Sequence, residues 1–162
     1  LFMVLSMYAF AQNMPSVFIT PYAGDKIEVT AGTTSSIAIL TDHARFSLQG
    51  DDRDRFIKFL DLHIGLINDA TKLGLFDNST PVAWYRVSPN LTIQTSLVAK
   101  NSELYVSMYI NYMGVNSAIT MTQSNLQEFK TAIQSALSYN GKRADSESAL
   151  QKLITELVKT FG

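Results

Sequence analysis

Residues Glu103–Leu137 read ELYVSMYINYMGVNSAITMTQSNLQEFKTAIQSAL, and this stretch decides the predicted fold. From Leu104 to Met113 apolar residues alternate with a mixed set, which is typical of a strand with one buried face. Gly114 favours a tight turn, and 116–122 alternates again. Because the link between the two segments is short, the sequence predicts an antiparallel hairpin.

A helix follows this hairpin. Ser124 to Gln127 fits a capping box, in which the first side chain accepts from a free backbone N–H and the last reaches back. Leu126, Phe129 and Ile133 then recur at helical spacing. Asn140 and Gly141 are residues typical of a helix end, so we expect the helix to stop there.

The same order of elements occurs earlier in the chain. A short apolar segment, 46–48, precedes Asp51, which opens a predicted helix extending to about Leu73. Phe56 in this helix corresponds in position to Phe129 in the later one. This predicts two strand–helix halves, although any capped strand-to-helix junction would give a similar pattern.

Further strands are predicted over 82–87 and 91–99, and they complete an antiparallel meander with the hairpin. An amphipathic helix is predicted over 146–161, with an apolar stripe that either packs on the sheet or docks a partner or second copy. The stripe comprises Leu150, Leu153, Ile154, Leu157, Val158 and Phe161. The expected fold class is therefore α+β, with one antiparallel sheet and about three helices packed on one face.

Residues 1–11 resemble the apolar and cleavage regions of a secretory signal peptide that lacks its upstream part. Ala9-Phe10-Ala11 is a small-x-small cleavage pattern, and the apolar run is too short to span a bilayer. The alternative is a buried first strand or helix. We expect residues 12–162 to form a single exported domain, periplasmic or secreted, without a transmembrane span.

Charge and composition narrow the function classes. The formal net charge is −1, whereas a general nucleic-acid binder usually carries a basic excess, so a nucleic-acid partner is not favoured. The chain contains no cysteine, which excludes disulfides, thiolate nucleophiles and cysteine metal sites.

No catalytic or cofactor motif appears. His43 and His63 lack the spacing of zinc ligands, and there is no nucleophile elbow or phosphate-binding glycine loop. Asp51, Asp52 and Asp54 could form a cation site, but acidic residues also favour helix N-termini. We therefore predict no catalytic residues, no metal and no cofactor, while carboxylate pairs distant in sequence stay open.

Aromatic residues cluster in the predicted meander. Trp84, Tyr105, Tyr109 and Asn111 are the candidate ligand-binding residues, because an open sheet face would let them stack against and hydrogen-bond a sugar or peptide. If helices cover that face, the same rings are core residues. Base stacking is a further possibility that the net charge and the export pattern do not favour.

The first functional hypothesis is a small exported non-catalytic domain that binds a protein or glycan partner. The second is an exported hydrolase using Asp or Glu residues, for which a pocket with a carboxylate pair would be diagnostic. The third is a cytoplasmic regulatory or nucleic-acid-binding domain, which would need a basic groove beside Tyr105 and Tyr109.

Overall fold

A computed structural model describes residues 16–32, 35–74 and 79–162. The predicted signal peptide, residues 1–11, lies outside the described residues. Two antiparallel sheets and two helices make up the described part of the chain. Neither of these helices is long and apolar enough to cross a membrane.

The first sheet has the strand order β1-β3-β4-β5 and the second has the order β2-β9-β8-β7-β6. The strands are β1 Ser16–Ile19, β2 Ala23–Gly24, β3 Ile27–Ala31, β4 Ile37–Leu40, β5 Arg45–Leu48, β6 Ser79–Ser88, β7 Leu91–Lys100, β8 Glu103–Tyr112 and β9 Val115–Met121. The helices are α1 Gly50–Leu73 and α2 Gln123–Phe161. All paired strands run antiparallel.

The α+β class is confirmed, and so is the hairpin of β8 and β9. The expected number of three helices is wrong, because the second and third predicted helices are one continuous helix, α2. The prediction of one sheet also differs from the structure, since four of the five strands before α1 form a sheet of their own, and β2 joins the second sheet.

The helix passes through Asn140 and Gly141 because tertiary contacts hold it there. The buried Asn140 side chain donates to the Ser36 carbonyl at 2.8 Å, and Arg143 donates to the Gly32 carbonyl at 3.0 Å. A helical glycine costs about 1 kcal/mol relative to alanine. This cost does not end the helix here, because Asn140 and Arg143, on either side of Gly141, both form hydrogen bonds to residues between β3 and β4 of the first sheet.

The start of α2 also differs from the capping box expected at Ser124. Thr122 is the N-cap: its hydroxyl accepts from the Asn125 N–H at 3.0 Å, and the Asn125 side chain accepts from the Thr122 N–H at 3.0 Å. The box therefore lies two residues earlier and uses the amide of Asn125 in place of the expected Gln127 amide.

The two strand–helix halves exchange their helices. Helix α1 follows the first sheet in the chain but packs on β8 and β6 of the second sheet. Helix α2 follows the second sheet but packs on β3 and β1 of the first. Phe56 and Phe129, which correspond in the two halves, are fully buried and meet edge to face at 5.6 Å between ring centres. The core therefore lies between the sheets, where the helices meet.

Candidate binding face

The second sheet has one face packed on α1 and one outer face. On β8 the side chains of Met108 and Ile110 are buried toward α1, whereas Ser107 and Tyr109 point the other way. Strand register extends this outer face across the neighbouring strands. The outer face, as used below, consists of Trp84, Arg86, Thr92, Gln94, Ser96, Val98, Lys100, Glu103, Tyr105, Ser107, Tyr109, Asn111, Asn116, Ala118 and Thr120.

Two of the four predicted site residues are open to solvent in one row of this face. Trp84 pairs with Gln94, and Gln94 pairs with Tyr109. Their rings belong to strands two positions apart, so they are separated by about 10 Å. Trp84 is 61% exposed and Tyr109 is 45% exposed. The exposed Gln94 side chain lies between them and supplies amide donors and an acceptor.

Tyr105 lies on the same face but is covered. The ring of Tyr22 stacks on it with 4.2 Å between ring centres, and Tyr105 is buried as a result. Its hydroxyl donates to the Glu103 carboxylate at 2.9 Å, and this bond raises the pKa of Tyr105 to about 12. Tyr22, which is 43% exposed, is therefore the ring presented to solvent at this end of the face.

Asn111 shapes the β8–β9 turn. Its amide donates to the Asn116 side chain at 2.6 Å, and its oxygen accepts from the Gly114 N–H at 3.3 Å. These bonds occupy most of its hydrogen-bonding capacity. Asn111 therefore borders the open row of Trp84 and Tyr109 but is less available to a ligand than the sequence pattern indicated.

Charge is sparse across this face. The outer face has three charged residues, and Arg86 is the one nearest to the row of Trp84 and Tyr109. At the opposite end, the Lys100 ammonium lies 5.8 Å from the ring centre of Tyr22, and Glu103 bonds Tyr105 nearby. These described residues do not form the basic groove that a nucleic-acid-binding role would need.

Sequence reasoning missed two members of the site. Gln94 could have been found, because alternation along β7 and the register with β8 place it beside Tyr109. Tyr22 carried no such pattern: it stands beside Pro21, between two short strands, and only the tertiary fold brings it against Tyr105.

The two histidines lie away from the outer-face row. The exposed His43 bonds Asp25 through Nδ1 at 2.7 Å, and that hydrogen bond raises the pKa of His43. The buried His63 bonds the Phe59 carbonyl and the Thr95 hydroxyl. Across residues 16–32, 35–74 and 79–162, no three His, Asp or Glu side chains are placed to hold a metal ion together.

Three clefts in the described part of the chain have a single carboxylate each among their lining residues. One, of about 720 Å³, lies beside Arg53 and Arg143 and contains Glu147. The other two contain Glu103 and Glu128. No protein-family model matches this chain, and neither does any curated protein sequence.

Proposed function

We propose that the protein is an exported, non-catalytic binding domain that holds a neutral glycan against its outer face. The observation that carries the proposal is the row of Trp84, Gln94 and Tyr109, in which two exposed rings flank an exposed amide. Export rests on the signal-peptide pattern of residues 1–11, which stays a prediction.

The chemistry of the row suits a sugar chain. A pyranose ring has a face of polarised C–H groups, and these are attracted to the negative face of an aromatic ring. Its hydroxyls lie around the edge, where Gln94, Ser96 and Ser107 can donate and accept hydrogen bonds. Strand register places both rings on one surface of the sheet, so an extended chain can lie across the strands and contact Trp84 and Tyr109 together.

The low charge density of the face suits a neutral ligand. Lys100 and Glu103 lie together at one end, and Arg86, in the row beside Trp84 and Gln94, is the charge nearest to the binding row. A ligand in the row contacts mainly uncharged groups, and a neutral one loses nothing by desolvation of charge. The hydrolase alternative has less support, because each cleft described above contains one carboxylate where hydrolysis of a glycosidic bond requires two.

Intrinsic fluorescence tests the proposal directly, since Trp84 is the single tryptophan of the chain. Titration with chitohexaose and with cellohexaose, two neutral β-linked chains, should shift the Trp84 emission saturably for at least one of them. Tyr109→Ala should weaken that binding about tenfold, the loss of roughly 1.4 kcal/mol of stacking. Phe18→Ala is the matched control, because Phe18 is an exposed aromatic residue of β1 in the other sheet.

Binding that Tyr109→Ala and Phe18→Ala weaken equally would contradict the assignment of the outer face. No saturable shift with either oligosaccharide, or a shift with a folded protein partner only, would contradict the glycan proposal. Export is tested separately by cell fractionation with mass spectrometry of the N-terminus, which should begin near Gln12.

A further inference from the structure

The last part of α2 extends beyond the body of the protein. Past Arg143, which donates to the Gly32 carbonyl, the helix has no buried residue up to its end. We call Ala144–Phe161 the overhang. Its 18 residues extend about 27 Å at the α-helical rise.

An apolar stripe follows the overhang on one side. Leu150, Ile154, Leu157 and Phe161 are spaced four, three and four residues apart, which is the a/d spacing of a helix that packs on another helix. Phe161 is 84% exposed, and Leu157 is 55% exposed. Leu153 and Val158, also more than half exposed, widen the stripe on either side. Exposed patches of this kind mark interaction sites.

We propose that the overhang binds the overhang of a second copy of this chain, antiparallel, about a two-fold axis. In this arrangement Leu150 of one copy lies opposite Phe161 of the other, and Ile154 lies opposite Leu157. The four seam residues of each copy then all meet an apolar partner, with none left over. The surface is therefore self-complementary, as a two-fold interface must be.

Charge placement agrees with this pairing. The residues that flank the seam are uncharged: Gln151, Leu153, Val158 and Thr160. Lys152, Glu156 and Lys159 fall on the side of the helix away from the seam, and Lys159 pairs with Glu156 at 3.5 Å within one helix. No like charges would face each other across the interface, where such contacts decide which helices pair.

The direction follows from the place of the overhang beyond the body of the protein. Antiparallel pairing puts the two folded bodies at opposite ends of the seam, whereas parallel pairing would bring them side by side at the same end.

The area of the stripe sets the expected strength. Leu153, Leu157, Val158 and Phe161 together expose on the order of 300 Å² per copy, or about 600 Å² in a pair. A stable interface buries at least about 1,200 Å². Leu150 and Ile154 are already partly buried and add little, so the contact is below that range and belongs with weak, transient interfaces. We therefore expect a dissociation constant in the upper micromolar range.

Sedimentation equilibrium of the purified protein between about 5 and 500 µM should show a monomer–dimer equilibrium. Leu157→Glu should raise the dissociation constant at least tenfold, because it places two charges in the seam. Thr155→Glu, an added charge outside the seam, is the matched control and should leave it within twofold. Circular dichroism of both variants checks that the helix is retained. A monomer throughout the range, or equal effects of the two variants, would overturn the proposal.

Cysteine pairs test the direction, since the chain has no cysteine of its own. A mixture of Leu150→Cys and Phe161→Cys proteins should form a mixed disulfide dimer under mild oxidation. Leu150→Cys alone should not, because two-fold antiparallel pairing separates its two copies by about 16 Å, whereas a disulfide needs Cα atoms within about 7 Å. Rapid dimerisation of Leu150→Cys alone would show parallel pairing and overturn the arrangement.

Discussion

Nε2 of His63, on α1, lies 2.7 Å from the Thr95 hydroxyl on β7. Nδ1 of the same ring lies 2.8 Å from the Phe59 carbonyl, which can only accept, so Nδ1 carries the proton. Nε2 of the neutral ring therefore accepts from Thr95. The pair ties α1 to the centre of the second sheet. A charged ring could keep both bonds by donating to the Thr95 oxygen, so it is burial, which lowers the pKa of His63, that favours the neutral form.

Stability should fall on acidification because of His63. Burial lowers the pKa of His63 below its ordinary 6.5, so below about pH 6.5 the unfolded chain binds a proton that the folded chain does not. The free energy of unfolding then decreases as the pH falls from 6.5 toward the folded pKa. The slope should stay under the roughly 1.4 kcal/mol per pH unit that one proton allows. Urea denaturation between pH 7 and pH 5 measures it.

His63→Gln is the control for this slope. A glutamine amide can donate to Phe59 and accept from Thr95 but does not titrate. The variant should therefore lose the His63 part of the pH dependence. An unchanged slope in His63→Gln would show that the acid sensitivity comes from other groups.

His43 should act in the opposite direction. Its hydrogen bond to Asp25, followed by the charges of Asp25 and Asp42, raises its pKa above 6.5. The contribution of His43 to the stability of the folded protein is therefore fully present below pH 6.5. It is lost as the pH rises through the pKa of His43 in the folded state. NMR titration of the His43 ring should give a pKa above 6.5 in the wild type and a lower one in Asp25→Asn. An equal pKa in the two proteins would mean that the bond to Asp25 is absent in solution.

Gly24→Ala should destabilise the protein by about 1–3 kcal/mol, the usual cost of a strained backbone position. Gly24 has φ +91°, and an added Cβ would collide with the Ala118 carbonyl oxygen of β9. The two-residue strand β2 pairs there with β9, so no flexible side chain can move aside. Thermal and urea unfolding measure the loss, and a neutral substitution would mean that β2 is not held against β9.

Gly141→Ala tests the continuity of α2. Nothing lies within 4 Å of an added Cβ at this position, and the glycine is inside the helix. Alanine should therefore stabilise the protein by about 0.5–1 kcal/mol. If the helix ended here with Gly141 in a left-handed conformation, the same substitution would destabilise it. The sign of the change in unfolding free energy therefore distinguishes one helix from two.

The local elements were predictable, because their patterns lie in neighbouring residues. Alternation predicted β8 and β9, and helical spacing predicted the stripes of α1 and α2. The end expected at Asn140 failed for a non-local reason: its side chain bonds Ser36, 104 residues earlier in the chain. The helix-end pattern considers only residues adjacent in the sequence. It therefore predicts an end at Asn140, because it takes no account of a bond to a residue so far away in the chain.

The candidate site also has a part that could be predicted from the sequence and a part that could not. Trp84 and Tyr109 were selected from the sequence because aromatic residues cluster in the predicted meander, and the fold leaves both open. Tyr105 belongs to the same cluster, yet Tyr22 covers it, and those two residues are far apart in the chain.

The sequence by itself determined the α+β class, the β8–β9 hairpin and the helical segments with their apolar stripes, since each depends on the order of side chains along a few turns or strands. The tertiary structure alone decided the division into two sheets, the exchange of helices between the halves, and which rings reach solvent. These features depend on which surfaces pack against each other. That packing is decided by contacts between residues far apart in the sequence, which the alternation of a strand or the period of a helix cannot predict.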